Sequence, residues 1–286
     1  MSAAMKLAGF AGALVLLFGA AALAGSTVGP DRSGENRVEP EGHAGAAEEG
    51  GHAGEAAPDP VRGLAVAGDG LKLTLDTTEL ERGRASELRF SIRGAGGRPV
   101  RDFEVEHEKR MHLIVVRRDG SGFQHLHPEL DASGAWSVPV TLSEAGSYRV
   151  FADFKHDGEA QTLAADLNVD GDADYRPLPE PTLTADTGDG YEVRLDAGHV
   201  SAGREAELRF AVTKDGEPVE TEPYLGARGH LVALREGDLA YLHVHPSGDS
   251  VEFMSEFPSE GRYGLYLQFK HDGRVHTAAF TKDVAR

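Results

Sequence analysis

Short segments of alternating apolar and polar residues recur along the chain after residue 62. In Leu71–Leu75 the leucines alternate with polar residues, and residues 88–92 and 148–154 show similar patterning. A period of two is typical of half-buried β-strands. Glycine-containing turn sequences such as Asp119-Gly120 separate the segments. Because no long segment in this region has a helical period, the pattern predicts an all-β fold of antiparallel, immunoglobulin-like sandwiches.

The folded part of the sequence is an internal duplication. Each copy has about 100 residues, which is a normal domain size, so we expect two tandem β-sandwiches. Segments of the first copy that recur in the second include residues 81–90 at 201–210, His112–Arg117 at His230–Arg235, residues 123–128 at 241–246, and residues 154–158 at 269–273.

The N-terminal residues have the pattern of an export signal or a membrane anchor. Lys6 precedes an 18-residue apolar stretch at residues 7–24, and Ala22-Leu23-Ala24 fits a signal-peptidase cleavage pattern. The stretch is a cleaved signal peptide or an uncleaved membrane anchor, and its length favours the anchor. Either reading places the rest of the chain outside the cytoplasm. Residues 25–62 contain almost no large apolar residue, so we expect a disordered tether.

These boundaries divide the chain into five parts. They are a signal peptide or membrane anchor at 1–24, a disordered linker at 25–62, the first sandwich at 63–170, a Pro-rich linker at 171–181 and the second sandwich at 182–286.

Charge and composition narrow the possible chemistry. The chain has 29 basic and 47 acidic residues and a net charge of −18, which argues against a nucleic-acid partner. It has no cysteine, so disulfides, thiolate metal sites and a cysteine nucleophile are excluded. Thirteen histidines remain as the main candidates for metal ligation or proton transfer.

A β-hairpin in each copy is predicted to bring three histidines together. If Asp119-Gly120 forms a two-residue loop, His112 falls directly opposite His127, and His125 shares the face of His127. Opposed Cβ atoms lie about 4.5–5.5 Å apart, so three imidazoles could converge on one ion. A loop at Gly237-Asp238 gives the second copy the same arrangement. The predicted metal ligands are therefore His112, His125, His127, His230, His243 and His245.

Structural roles for these histidines remain open. His125 and His127 could hydrogen-bond across the hairpin without a metal, and a three-residue loop would move His112 to the other face. His156 and His271, in Lys-His-Asp-Gly turns, are candidates for a further ligand if the turn folds over the hairpin. Met111 is expected to fill the core. The histidines without a counterpart in the other copy, which we expect on the surface, are His107, His199 and His276.

The hairpin motifs carry a resemblance to a known group. Met111-His-Leu-Ile-Val-Val-Arg117 with Phe123-Gln-His-Leu-His-Pro128, and their second-copy counterparts, resemble exported actinobacterial proteins described as heavy-metal-binding or YtkA-like. That group is similar in turn to periplasmic copper-resistance β-sandwich proteins. The resemblance implies an extracytoplasmic, membrane-anchored or secreted metal-binding protein. This chain has four methionines, so the Met-rich ligand loops of the copper-resistance proteins have no match.

Two functions follow as hypotheses. The first is a non-enzymatic protein that buffers or delivers copper, or zinc, with one ion per copy and copper(II) bound before zinc. The second is a surface sandwich module that binds protein or polymer, with structural histidines. We expect no enzyme, because no complete catalytic set stands out. The expected partners are metal ions and, through the N-terminal helix, a membrane; the sequence identifies no protein partner.

Overall fold

The structure is a computed structural model that describes residues 61–246 and 250–286. The apolar helix expected at residues 7–24 lies outside the described residues, as does nearly all of the expected tether. Within the described ranges, none of the helical structure has the length and apolar character needed to cross a membrane.

The first copy consists of two five-stranded sheets packed face to face. One sheet has the order β1-β2-β4-β8-β7 and the other the order β3-β10-β9-β5-β6. All pairs are antiparallel except β3 with β10. The strands are β1 (Ala67–Gly68), β2 (Leu71–Leu75), β3 (Glu79–Leu80), β4 (Ala85–Arg93), β5 (His112–Arg117), β6 (Gln124–Leu126), β7 (Glu129–Leu130), β8 (Trp136–Thr141), β9 (Gly146–His156) and β10 (Glu159–Val169), with one 3-10 turn at Ala95–Gly97.

The second copy repeats this arrangement with one difference. Its strands form a single nine-stranded sheet of order β11-β12-β13-β17-β16-β15-β18-β19, with β14 pairing to β13. The two layers join because β16 hydrogen-bonds to both β15 and β17. The strands are β11 (Thr184–Asp186), β12 (Tyr191–Asp196), β13 (Glu205–Lys214), β14 (Glu217–Pro218), β15 (His230–Arg235), β16 (Tyr241–Pro246), β17 (Glu252–Glu256), β18 (Gly261–His271) and β19 (Arg274–Val284).

The sequence alternation has a direct structural cause. Along β12, every second residue is buried, and these residues belong to the core between the layers of the second copy. Leu71 and Leu73 are likewise alternate residues of β2 that are buried in the core of the first copy. The all-β prediction is confirmed by these strands, and each copy has its own apolar core.

The predicted register of both hairpins is present, although the turns differ from the two-residue loops assumed. Leu113 pairs with Leu126 and Ile114 with His125, a register that brings His112 opposite His127. The first turn instead closes with Arg117 N donating to Ser121 O, and Gly122 follows at a φ of 62°. The extra residue at the turn is absorbed before β6, so the histidines keep their common face.

The two copies dock through the outer faces of β5 and β15. All six residues of β5 are buried, because its inner face lies in the first core and its outer face contacts the second copy. The apolar residues that form this interdomain core are Ile114, Val116, Phe151, Ala164, Val232, Leu234, Leu239, Tyr241 and Tyr266, with Phe123 packed against them.

The docking surface is nearly symmetric. Phe123 of the first copy stacks on Tyr266 of the second, with ring centroids 4.2 Å apart. Their counterparts, Tyr241 and Phe151, pack with centroids 5.3 Å apart. Equivalent residues thus meet in reciprocal pairs, as they do in a twofold-symmetric dimer.

The segment before β1 and the interdomain linker reinforce this docking. Arg62 O accepts a hydrogen bond from Tyr241 N, and Gly63, at a φ of 72°, fits where a Cβ would lie 2.7 Å from atoms of both copies. In the linker, Arg176 N donates to Asp119 and Leu178 N donates to Glu236. The linker therefore contacts both sandwiches.

Adjacent residues of β5 allow the docking to be tested. Ile114→Ala and Leu113→Ala should each lower the free energy of unfolding by about 2–5 kcal/mol. Only Ile114→Ala should accelerate hydrogen exchange at the amides of β15, because only Ile114 faces the second copy. Exchange measured by mass spectrometry on both variants checks this. Equal exchange of β15 in the two variants would contradict the docking described here.

Candidate metal centre

Three histidines of the first copy lie together at the edge of the docking surface. His112 begins β5, His125 lies in β6 and His127 follows β6 by one residue. One ring nitrogen from each lies within 4.8 Å of those of the other two. The ring centroids are 5.3 Å apart for His112 and His125, 5.1 Å for His112 and His127, and 4.8 Å for His125 and His127.

The second copy contributes to the same region. His230 is 5% exposed, and its ring centroid lies 6.5 Å from that of His125 and 5.6 Å from that of His107. His230 therefore lies across the docking surface from the first-copy histidines, and the separate second-copy site that the sequence predicts stays a prediction. The side chains of His243 and His245 lie outside the described structure, so their assignment stays a prediction.

A tight turn fixes the ring orientation of His112. Glu106 and Lys109 exchange backbone hydrogen bonds across His107 and Glu108, both of which have positive φ, as a type I′ turn requires. Glu106 O also lies 3.1 Å from His112 Nε2. A carbonyl oxygen only accepts, so Nε2 of His112 is the protonated donor and Nδ1 is the accepting nitrogen.

A residue of the second copy orients His125. Gln268 Nε2 donates to Thr277 Oγ1, which directs the amide oxygen of Gln268 toward His125. His125 Nδ1 donates to that oxygen over 2.8 Å. In the neutral ring Nε2 of His125 is then the accepting nitrogen.

The two orientations bring accepting nitrogens together. His112 Nδ1 and His125 Nε2 are 3.0 Å apart. With both rings neutral, no proton lies between them, and two lone pairs at this distance repel. In the described part of the chain, the buried Nε2 of His127 has no hydrogen-bond partner. A cation between the rings would satisfy these accepting nitrogens.

Burial lowers the pKa of two histidines of the cluster. Burial, followed by the proximity of His112 and His127, holds the pKa of His125 well below its usual range. Burial, followed by His112 and Lys109, lowers the pKa of His127 to about 3. Neutral imidazole is the form that binds metals, so these rings need not lose a proton first at neutral pH.

A buried carboxylate lies beside the cluster. Asp153 pairs with His112 across β9 and β5 and is 6% exposed. It accepts hydrogen bonds from Thr162 Oγ1 at 2.8 Å and Tyr241 OH at 3.3 Å. Burial, with the negative charge of Asp153 next, raises the pKa of Tyr241 well above its usual range. The second-copy counterpart of Asp153 is Gln268.

The other residues that the sequence singled out as possible ligands make their contacts outside the cluster. His156 Nδ1 donates to Asp102 O, and His271 Nδ1 contacts Tyr191 OH, so neither turn folds over the cluster as a further ligand. Met111 fills the first core, as expected.

The three histidines that were expected on the surface differ in exposure. His199 is exposed. His276 is 6% exposed and contacts Asp189, so its surface assignment was wrong. His107 is half-buried, and its ring lies 6.2 Å from that of His112. Glu106-His107-Glu108-Lys109 lacks the Asn-Gly or Asp-Gly signal of a type I′ turn, so the sequence did not reveal this position.

Comparison with solved structures returns β-sandwich domains. The chain is similar to the Lin-41 filamin domain, with 14% identity, a TM-score of 0.25 and coverage of 40% of this chain and 98% of the domain. It is similar to the Escherichia coli adhesin FdeC, with 14% identity, a TM-score of 0.27 and coverage of 78% and 66% of the two chains. For the Yersinia pseudotuberculosis adhesin InvE the identity is 12%, the TM-score 0.25 and the coverage 75% and 59%. These likenesses concern the fold alone.

No curated protein matches the chain. The resemblance to YtkA-like and copper-resistance proteins finds no support in these comparisons and stays a hypothesis. A model of a domain of unknown function, DUF8832, matches residues 65–171 and again residues 185–286. The two matches reproduce the internal duplication and cover most of the sequence. The chain therefore belongs to the DUF8832 family.

Proposed function

We propose that this protein is a non-enzymatic metal-binding protein that holds Cu²⁺ or Zn²⁺ between His112, His125 and His127. The observation that carries the proposal is the 3.0 Å contact between two accepting nitrogens, beside His127 Nε2, which is buried and has no hydrogen-bond partner among the described residues. A bound cation would remove the repulsion between the two lone pairs and would also give the buried nitrogen of His127 a partner.

The spacing of the rings supports an ion of this size. With metal–nitrogen bonds of about 2.0–2.1 Å, tetrahedral ligand nitrogens lie about 3.3 Å apart and imidazole centroids about 5 Å apart. The shortest nitrogen contact is 3.0 Å, and the three centroid distances lie between 4.8 and 5.3 Å. Small adjustments therefore suffice to seat the ion.

The ligand set favours copper(II), with zinc as the next candidate. Imidazole suits both ions, and nitrogen sites generally bind Cu²⁺ more tightly than Zn²⁺. Met111, the methionine beside His112 in sequence, is buried in the first core, so a thioether ligand for copper(I) has no support there.

A second candidate is a β-sandwich interaction module in which the histidines are structural. It is favoured by the contacts of His112 with Glu106 O and of His125 with Gln268, which link the hairpin to the second copy without an ion. The immunoglobulin-like neighbours agree better with this candidate, but they speak for the fold only. Metal titration separates the two candidates.

A single substitution tests the metal proposal. His127→Ala should weaken Cu²⁺ binding by more than the roughly 10–100-fold that loss of an outer hydrogen-bond partner costs, because it removes a direct ligand. His156→Ala is the matched control, since His156 is a hydrogen-bonded histidine of the same copy outside the cluster. Calorimetric titration of both variants and the wild type measures the difference. Micromolar Cu²⁺ that fails to bind the wild type, or binds both variants equally, would refute the proposal.

The lowered pKa values predict how the metal-free protein responds to acid. An unfolded histidine has a pKa of about 6.5, above the folded pKa of His127, which is about 3. Between these values the unfolded chain binds more protons, so stability falls as the pH decreases from about 6.5 toward 3, by up to about 1.4 kcal/mol per pH unit for each such histidine. Urea unfolding of chelator-treated protein at several pH values should give a shallower slope for His127→Ala. The same slope for wild type and variant would show that His127 is not a buried neutral ring.

We also propose that the protein acts outside the cytoplasm. The support is the 18-residue apolar stretch after Lys6. On expression in its host, the protein should remain in the membrane fraction, because a stretch of this length can span a bilayer. Fractionation followed by N-terminal sequencing checks this. A mature protein that begins near Gly25 in the medium would exclude the anchor.

A further inference from the structure

Two buried polar residues of the second copy point toward the histidine cluster of the first. They are Gln268 on β18 and His230 at the start of β15, which are 7% and 5% exposed. We infer that the ion site is shared by both copies: Gln268 orients His125, and His230 supplies a fourth imidazole, so that the ion fastens the two sandwiches together. This inference rests on the proposed metal binding.

The argument for Gln268 begins with its two hydrogen bonds. Its nitrogen is committed to Thr277, and its oxygen accepts from His125 Nδ1 at 2.8 Å. A histidine that ligates a metal commonly donates its other N–H to such an oxygen, which fixes the ring orientation and raises ligand basicity. Here the oxygen belongs to the other copy, so His125 is positioned for an ion only while the copies are docked.

The evidence for His230 is that the second copy repeats the tight turn that orients His112 in the first copy. Tyr224 and Ala227 exchange backbone hydrogen bonds across a tight turn, as Glu106 and Lys109 do in the first copy. Tyr224 O accepts from His230 Nε2 at 2.8 Å, as Glu106 O accepts from His112 Nε2. Nδ1 of His230 is therefore an accepting nitrogen, suited to a metal in the same way as Nδ1 of His112.

The position of His230 allows it to complete the coordination. Three imidazoles leave one position of a tetrahedral ion open. The centroid of His230 lies 6.5 Å from that of His125, compared with about 5 Å for two imidazoles on one tetrahedral ion. A movement of roughly 1–2 Å toward the cluster closes this gap. The ion thus draws the second copy inward, and by linkage docking and ion binding strengthen each other.

Separate sites in each copy are the alternative. In that case the chain binds two ions, and His230 serves only the ion of the second hairpin. The shared site instead predicts one ion per chain, with an affinity that depends on residues of both copies. Stoichiometry and affinity together distinguish these arrangements.

The test is calorimetric titration of the metal-free full chain with Cu²⁺. Gln268→Leu should lower the affinity about 10–100-fold, as expected for loss of an orienting partner, and Gln268→Glu, which keeps an acceptor oxygen, should restore it. Tyr263→Phe is the control for Gln268: it removes a hydrogen bond to Ser259 O from the same strand, within the second copy and away from the histidines, and should keep the wild-type affinity.

His230→Ala should lower the affinity for the single ion and reduce the nitrogen ligands counted by X-ray absorption from four to three. His276→Ala, which removes another buried histidine of the second copy, should leave both unchanged. Thermal unfolding monitored by circular dichroism, without metal, verifies that each variant folds.

Two results would overturn the shared site. One is a stoichiometry of two ions, with His230→Ala losing one ion and binding the other at the wild-type affinity. The other is a folded Gln268→Leu variant that binds Cu²⁺ as tightly as the wild type. A wild-type chain that binds no ion would instead refute the proposed function itself.

Discussion

The structure depends on the burial of β5 and β15 on both of their faces. The inner faces supply the cores of their own sandwiches, and the outer faces would expose contiguous apolar surface if the copies were apart. Docking removes this surface from water and also decides where the histidines lie. Because His112 and His230 begin the two strands, docking brings both to one edge of the interface. The same burial lowers the pKa values of His125 and His127 and keeps their rings neutral.

The ring orientations of the clustered histidines are fixed by groups that lie outside the cluster. Backbone carbonyls of two type I′ turns set the protonated nitrogen of His112 and His230, and Gln268 sets that of His125. Each of these contacts fixes which ring nitrogen carries the proton and which one accepts. A purely structural histidine pair would gain more from a proton shared between the rings, yet both outer partners are placed as acceptors. This preorganisation is the physical basis of the metal proposal.

Local features of the fold could be predicted from the sequence. The alternation in β2 and β12 predicts strands, and a two-residue loop at Asp119-Gly120 predicts the register that aligns His112 with His127. The predicted register is correct although the predicted turn type is wrong, because a bulge at Gly122 accommodates the additional residue. Period-two patterning determines which residues of one strand share a face, and the register between the two strands depends on this pattern together with the turn.

The docking of the copies could not be predicted from alternation alone. The sequence of β5 has four consecutive apolar residues at its centre, which is typical of a strand buried on both faces, but this pattern does not identify what covers the outer face. The position of Gln268 near the cluster depends on that docking, and the position of His107 depends on a backbone turn without a sequence signal. The sequence therefore did not predict that His230 and Gln268 of the second copy lie near the histidines of the first.

The central claim is that the three first-copy histidines hold a metal ion. Diffraction from crystals of the copper-loaded protein, recorded on both sides of the copper absorption edge, tests it most directly. The account predicts an anomalous peak about 2.0–2.1 Å from His112 Nδ1, His125 Nε2 and a ring nitrogen of His127. Copper-soaked crystals with no peak among these three rings, or with a peak only at other residues, would contradict it.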